Sequence, residues 1–432
     1  MSDEQSLILF GSEPLKAVVV GVADEKDEEF LEWDLAELKA LLRTLGIEPV
    51  IEVVQNRKRL TSRSFLGTGK IQEVAQLARD NGACLLAVDH RLTGIQVRHL
   101  EDESGCQVVD RAGVILEIFA RHAKSRQARI QVEIARQEYL ISRLSGAWTH
   151  FQRQKGGGVR SRGMGEKQID VDRKLVRDRL SRLNRKLEQI RKERETQSRG
   201  RRNELRVGLV GYTNSGKTSL MSSLTRTESE GKDELFATLD ASTRMIDPNT
   251  RPRILLSDTV GFIRRLPHAL VDSFRSTLEE VVHANLLLHV VDLSHPNYQA
   301  QIEVTKQVLE EVGAGDIPTL LVFNKRDQVE DPFLARIVSR AHSDSIVVSA
   351  HDRNDVLKLR ERVFSFFEDH FEQLTIAIPA DHRTALSLIY GNCVVLDADY
   401  ETPGEVQFVL RAPPRVLQQI KHYAVESSDD SL

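Results

Sequence analysis

Gly211-Tyr212-Thr213-Asn214-Ser215-Gly216-Lys217-Thr218 decides the reading of this chain. It matches G-x-x-x-x-G-K-[ST] in full, follows an apolar run at Leu205–Val210 and opens a helix-forming stretch at Ser219–Leu224. A phosphate cradle needs that order of strand, loop and helix. The glycines let successive backbone N–H groups curl around phosphate oxygens. Lys217 would reach the β- and γ-phosphates, and the Thr218 hydroxyl would bind Mg²⁺. The bland alternative is a glycine-rich turn with a capping serine. Chance matches seldom keep both flanking elements, so the cradle is favoured, with Gly211 to Thr218 as its binding set.

Working outward, Arg253–Ser257 is an apolar strand ending in Asp258-Thr259-Val260-Gly261. An aspartate at a strand end is placed to hold Mg²⁺, and Gly261 would offer its N–H to a γ-phosphate. Thr319–Phe323 is another such strand and ends in Asn324-Lys325-Arg326-Asp327. The Asp327 carboxylate would accept from guanine N1 and N2, while Lys325 covers the base. Adenine lacks that donor pair and would leave a carboxylate unpaired. Ile346–Val348 leads to Ser349-Ala350, whose N–H groups would meet guanine O6, and His351 completes the set. Between the first two motifs lies Phe236-Ala237-Thr238-Leu239-Asp240. Thr238 can put its hydroxyl on Mg²⁺ when the γ-phosphate is present, or can simply cap a loop. The metal set is therefore Thr218, Thr238 and Asp258; the catalytic set is Asn214, Lys217, Thr238 and Gly261.

The rest of the 432 residues supports a soluble, multi-domain α/β protein. Three scattered cysteines (Cys84, Cys106, Cys393) point away from disulfides and structural zinc and towards a reducing cytosol. The acidic start, Met1 to Gln5, does not read as a secretion leader, and no apolar run approaches a membrane span. Residues 1–121 alternate β-rich runs (Ala17–Val22, Pro49–Val54, Cys84–Asp89, Gln107–Val109) with helix-period stretches, which predicts a parallel sheet. Residues 122–200 change character. Apolar positions at Ile130, Ile134, Ile141 and Leu144, then from Ile169 through Ile190, follow heptad steps. They predict a long antiparallel helical hairpin whose second arm runs roughly 40 Å. Strand-helix alternation returns over 205–370, and 371–432 read as a small α+β tail.

Charge is concentrated on the hairpin. Arg153 to Arg202 carry 18 Lys or Arg against 7 Asp or Glu, a local +11 in a chain of net −4. Its tip, Gln154 to Gly165, is rich in glycine and arginine. Such a tip can follow a phosphate backbone with salt-dependent affinity. The plainer reading, a solvated helical face with a loose turn, carries about equal weight on charge alone.

Together these motifs resemble the HflX family of GTPases. The likeness rests on Gly211–Thr218, Phe236–Asp240, Asp258–Ile263 and Asn324–Asp327. Upstream it rests on Phe65–Lys70, Asp110-Arg111, Trp148–His150, Arg153–Gly157 and Arg162–Glu166. The resemblance implies a cytoplasmic, monomeric enzyme that hydrolyses GTP to GDP, binds the large ribosomal subunit and its RNA, and helps to split stalled ribosomes. It implies a ferredoxin-like carboxy-terminal domain and, in some members, use of ATP as well. Met164 and Lys167 depart from the family's usual loop, which is longer here by about one residue. A ribosome-assembly or RNA-modification GTPase is the alternative, weakened because no modification domain is visible.

Phe262 stands where Ras-like sites carry a water-orienting glutamine, so intrinsic hydrolysis should be slow. Asn214 lies three residues before Lys217, as in GTPases that place K⁺ beside the phosphates; it could equally brace the loop. Gly67-Thr68-Gly69-Lys70 is an incomplete phosphate loop and reads either as a second nucleotide contact or as a tight turn.

Overall fold

The computed structural model describes residues 7–8, 15–23, 30–56, 65–146, 162–198, 204–226, 235–236, 242–248, 250–265 and 280–424. The chain divides into two compact units. The first takes residues 1–193 together with 233–240 and 263–276; the second takes 194–232, 241–262 and 277–432.

In the first unit β1 (Lys16–Ala23), α1 (Leu31–Thr44), β2 (Glu48–Asn56), α2 (Thr68–Asp80), β3 (Leu85–Val88), α3 (Gly94–Ser104), β4 (Gln107–Asp110) and α4 (Arg111–His122) follow in order. The strands form one parallel sheet, ordered β2-β1-β3-β4. Val18, Val19, Val20 and Val22 of β1 are all buried, as a strand with both faces covered requires. Helix α3 begins with a reciprocal Thr93–Gln96 cap and ends at left-handed Gly105. Asp110 caps α4 by accepting from the Gly113 N–H at 2.9 Å.

Two further helices, α5 (Arg126–Gly146) and α6 (Arg162–Ser198), extend from this sheet. Their seam is Ile130 and Ile134 against Leu183, with Leu180, Leu187 and Ile190 packed around it, and Arg179 ion-paired to Glu133. At 37 residues α6 is about 55 Å long, against the roughly 40 Å read from the heptads. The heptad stripe starts only at Ile169, so the first two turns carry no apolar signal. The tip residues 147–161 lie outside the described residues; the backbone of Arg162 to Gly165 forms the start of α6. Glycines let α5 approach the body closely. A Cβ on Gly94 would stand 2.0 Å from the Arg143 carbonyl oxygen, and one on Gly113 would stand 2.6 Å from the Tyr139 hydroxyl.

The second unit opens with β5 (Leu205–Gly211), α7 (Lys217–Thr225), β6 (Ser242–Met245), β7 (Ile254–Asp258), β8 (Leu286–Asp292), α8 (Tyr298–Glu311), β9 (Thr319–Asn324), α9 (Leu334–Ala341), β10 (Ser345–Val347) and α10 (Arg353–Glu368). Six strands are ordered β10-β9-β8-β5-β7-β6, all parallel except β6. Leu209, Leu220, Leu256, Leu288, Val322 and Leu359 lie at its core. Next come β11 (Glu372–Pro379), α11 (Arg383–Asn392), β12 (Val394–Asp399), β13 (Glu405–Ala412) and α12 (Pro414–Lys421). These three strands form an antiparallel sheet ordered β11-β13-β12, with its own core around Ile378, Ile389, Phe408 and Ile420.

Candidate functional site

The carboxyl ends of β5, β7 and β9 converge, which is where open α/β sheets place their ligands. Gly211 ends β5 at φ 146°, and a Cβ there would stand 2.2 Å from the Val290 carbonyl oxygen. Asn214 and Gly216 both take positive φ, so the loop turns sharply before α7. Tyr212 and Phe262 form a parallel bridge, with Thr213 N–H donating to the Phe262 carbonyl at 2.7 Å and Phe262 N–H to the Gly211 carbonyl at 3.0 Å. Phe262 is itself fully buried, so it anchors the loop after β7 and cannot orient water.

Lys217 is only 6% exposed. Its ammonium donates to the carbonyls of Gly211 at 3.1 Å and Tyr212 at 2.7 Å. Burial pulls its pKa down to about 8, against the opposing pull of Asp258. A buried cation whose hydrogen-bond partners are neutral carbonyls is poised for an anion. The Ser215 and Thr213 hydroxyls are buried without a hydrogen-bond partner, as expected of groups that await ligand oxygens. Thr218 donates its hydroxyl to Asp258 Oδ2 at 3.0 Å, so two hard oxygen donors meet beside the loop. That donor pair suits Mg²⁺. Among the described residues no cluster of three or more His, Cys, Asp or Glu could hold a metal by itself, so phosphate oxygens would have to complete the shell. A Cβ on Gly261 would fall 2.9 Å from Thr213 Cα and 3.1 Å from Lys217 Nζ, which ties this glycine to the cradle.

The Asn324-Lys325-Arg326-Asp327 strand end is joined to the loop before α7 through Asn324. Its side chain donates to the Ser215 carbonyl at 2.9 Å and accepts from Ala350 N–H at 3.1 Å. Lys325 adopts a left-handed backbone and pairs with Asp292 at 2.7 Å. A hydrogen bond from Ser349 holds the Asp327 carboxyl below the usual carboxylate range, keeping it an acceptor. Arg326 bonds Asp355 at 3.0 Å and Asp352 at 3.1 Å. Asp355 also accepts from Ser349 N–H at 3.0 Å. A cavity of about 400 Å³ opens beside Ala350 and His351, rimmed by Arg226, Arg353 and Arg360. Sequence reading missed the supports Asp292, Asp352 and Asp355. Only the cap position of Asp352, two and three residues before the N–H groups that donate to it, offered a signal.

Phe236 belongs to the first unit, where its ring meets Phe119 edge-on at 4.7 Å. Ala237, Thr238, Leu239 and Asp240 lie outside the described residues. Gly67 caps α2 and donates to Gln55 at 3.0 Å, while Lys70 pairs with Glu73 at 2.9 Å.

A strand-loop-helix phosphate cradle, an aspartate strand end and an Asn-Lys-x-Asp base reader on a six-stranded sheet define a P-loop GTPase. Family models agree along the chain: "GTP-binding GTPase N-terminal" matches residues 32–120, "GTP-binding GTPase Middle Region" 122–201 and "50S ribosome-binding GTPase" 206–325. A protein named GTPase HflX from Gluconacetobacter diazotrophicus is 40% identical, spanning 94% of this chain and 97% of its own. One of the same name from Escherichia coli is 38% identical over 92% and 93%. The chain belongs to the HflX family of GTPases, and it binds guanine nucleotides and hydrolyses GTP. Among solved structures, a Sulfolobus solfataricus GTP-binding protein in complex with GDP is 25% identical, with a TM-score of 0.44 over 81% of this chain and 98% of that one.

Proposed function

We propose that this GTPase binds the large ribosomal subunit in the cytoplasm as a monomer, in a manner gated by GTP, and splits or rescues stalled ribosomes. The observation that carries the reading is the basic hairpin. Arg153 to Arg202 carry a local +11, spanning a 37-residue helix and the glycine- and arginine-rich segment before it, and are followed in sequence by a GTPase region of ribosome-binding type. No described helix is long and apolar enough to cross a membrane. The reading includes a ferredoxin-like relationship for the carboxy-terminal sheet and the residue roles given above.

In this reading Thr218, Asp258 and Thr238 hold Mg²⁺, which would neutralise phosphate charge. Lys217 and the cradle N–H groups orient the phosphates, Gly261 senses the γ-phosphate, and Asp327 selects guanine. Because Phe262 supplies no hydrogen bond to water, turnover depends on help from outside: K⁺ beside Asn214 and the ribosome itself. Turnover faster in K⁺ than in Na⁺, with the difference lost in Asn214→Ala, is expected; equal rates at matched ionic strength would remove K⁺ from the mechanism.

The deciding experiment is sedimentation with ribosomes, with GDP or a non-hydrolysable GTP analogue, for the intact chain and for a deletion of Lys155 to Gly165. The intact chain should pellet with the analogue only. The deletion should bind nucleotide normally yet lose ribosome-stimulated hydrolysis, with a flatter salt dependence of binding. Splitting at the normal rate by the deletion variant would reduce the tip to a solvated turn.

A further inference from the structure

The first unit carries a second carboxyl-edge crevice. In the order β2-β1-β3-β4 the chain reverses direction between β1 and β3, the position where an open parallel sheet ordinarily takes a ligand. Here the crevice is acidic. Asp34 of α1 and Asp89 after β3 are both fully buried, and Glu37 is nearly so. Arg111 neutralises part of this charge by bonding Asp89 at 2.8 Å and pairing with Glu37. The remainder faces Arg264 and Arg265, which sit three and four residues beyond Gly261. Arg265 lies 2.8 Å from Asp89 and 3.4 Å from Asp34, and Arg264 lies 3.2 Å from Asp34. The Arg264 guanidinium also stacks on the Phe30 ring at 4.3 Å. A phosphate-bearing ligand would be repelled from this crevice, whereas planar cations with aromatic and carboxylate partners fit it.

We propose that Asp34 and Asp89 form a guanidinium socket whose ligand is the chain's own Arg264–Arg265 pair, and that its occupancy couples the γ-phosphate sensor to the hairpin helix α5. The inference rests on the GTP-gated reading above and names the physical link it needs. On the sensor side the link is covalent. The chain passes from one unit to the other between Phe262 and Ile263, and three residues span at most about 10 Å, so Gly261 cannot shift far while Arg264 is held. Arg265 sits at φ 56° and Phe236, held by Phe119, at φ 60°. Left-handed backbone at non-glycine residues is strained, and it persists where surrounding contacts hold it. On the hairpin side the link runs along the backbone from Asp89 to Leu92 and from there through polar contacts. The loop after Asp89 donates Leu92 N–H to Asp110 at 3.0 Å. Asp110 also accepts the Tyr139 hydroxyl at 2.7 Å and pairs with Arg143 at 3.3 Å, both on α5. Tyr139 is buried deeply enough to keep its proton, so it remains a donor. Gly94 and Gly113 permit the close approach of α5 that this geometry needs.

The test is hydrogen exchange along α5 in the full chain, with GDP and with a non-hydrolysable GTP analogue, for the wild type, Arg265→Ala and Arg265→Gln. The analogue should accelerate exchange at Tyr139–Arg143 by about fivefold or more in the wild type, the lower end of ordinary coupling between sites. In both variants exchange there should already be fast and nearly indifferent to nucleotide, while analogue affinity is kept or tightened by up to the same factor, as reciprocal coupling requires. An unchanged nucleotide response in variants that still melt cooperatively would overturn the coupling, as would a wild type whose α5 never responds. Ribosome sedimentation is scored separately, so loss of ribosome binding with α5 coupling intact would refute the ribosome reading alone.

Discussion

Two buried cations at the carboxyl edges of two parallel sheets have opposite surroundings. Lys217 donates to the carbonyls of Gly211 and Tyr212, is only partly offset by the Coulombic pull of Asp258, and lies in a cradle with the unbonded hydroxyls of Thr213 and Ser215. Arg111 is bonded to Asp89, Glu37 and the Asp34 carbonyl. Burying a charge that is not fully offset is costly, so the Lys217 arrangement stores a demand that a polyphosphate meets. The Arg111 arrangement has no such demand, because its own carboxylates already answer it. Similar strand ends thus give a ligand site in one sheet and a structural ionic core in the other, and the difference lies in whether acids from distant segments close the charge balance.

Replacing each cation by methionine tests this directly and should give the largest effects. Arg111→Met leaves Asp89 and Glu37 buried with a partner removed and should cost about 3–5 kcal/mol of stability. Lys217→Met removes a desolvated ammonium, so the nucleotide-free chain should melt at the same temperature or higher. GTP turnover should nonetheless fall by about two to three orders of magnitude, as when a main charge-stabilising donor is lost. Thermal melts and steady-state hydrolysis on both variants decide it. A destabilised Lys217→Met or a fully stable Arg111→Met would collapse the distinction.

The same contrast explains what the sequence disclosed. The cradle is legible because eight adjacent residues carry it, and the base reader and aspartate strand end are legible because each closes an apolar run. Strand-helix alternation over 205–370 and the amino-terminal parallel sheet follow from the spacing of those runs, whereas antiparallel β6, half-exposed and polar, left no such run. The Arg111 cluster draws on residues 34, 37, 89, 110, 139, 143, 264 and 265. No local pattern links them; Asp110-Arg111 stood out only through family resemblance, and Arg264-Arg265 not at all. Asp292 was missed for a similar reason, since its pairing with Lys325 depends on β8 lying beside β9. The early start of α6 was hidden because its first turns lack an apolar stripe.

A smaller effect sharpens the site's other end. Asp327→Asn replaces a carboxylate acceptor, kept ionised by the Ser349 hydrogen bond, with an amide that opposes guanine N2 with its own N–H. GTP affinity should weaken by about 1–3 kcal/mol, and xanthine nucleotides, which offer a carbonyl at that position, should gain. Titration of both nucleotides against both proteins measures it. Unchanged GTP affinity would remove Asp327 from base reading.

The subtlest consequence is protonic. The ordinary lysine pKa is about 10.4, whereas burial brings Lys217 to about 8. Its folded value is therefore depressed, and for a base this means the charged form is the penalised one. Below pH 8 folded and unfolded chains both carry the proton and the folded state bears the full penalty. Between about pH 8 and 10.4 the unfolded chain binds more protons, so nucleotide-free stability should rise with pH across that window. Phosphates give the ammonium an opposite charge and return its pKa upward, so nucleotide binding must draw in a proton wherever the empty site has lost it. At pH 8 roughly half the empty sites are neutral and uptake should approach about half a proton per GDP, falling to about a tenth at pH 7. Guanine N1 keeps its own proton in this range and adds little. The measurement is the calorimetric enthalpy of GDP binding in buffers of different ionisation enthalpy, whose slope is the proton count. A slope near zero at pH 8 would mean that Lys217 is already charged and compensated before nucleotide arrives, which would make it a second Arg111.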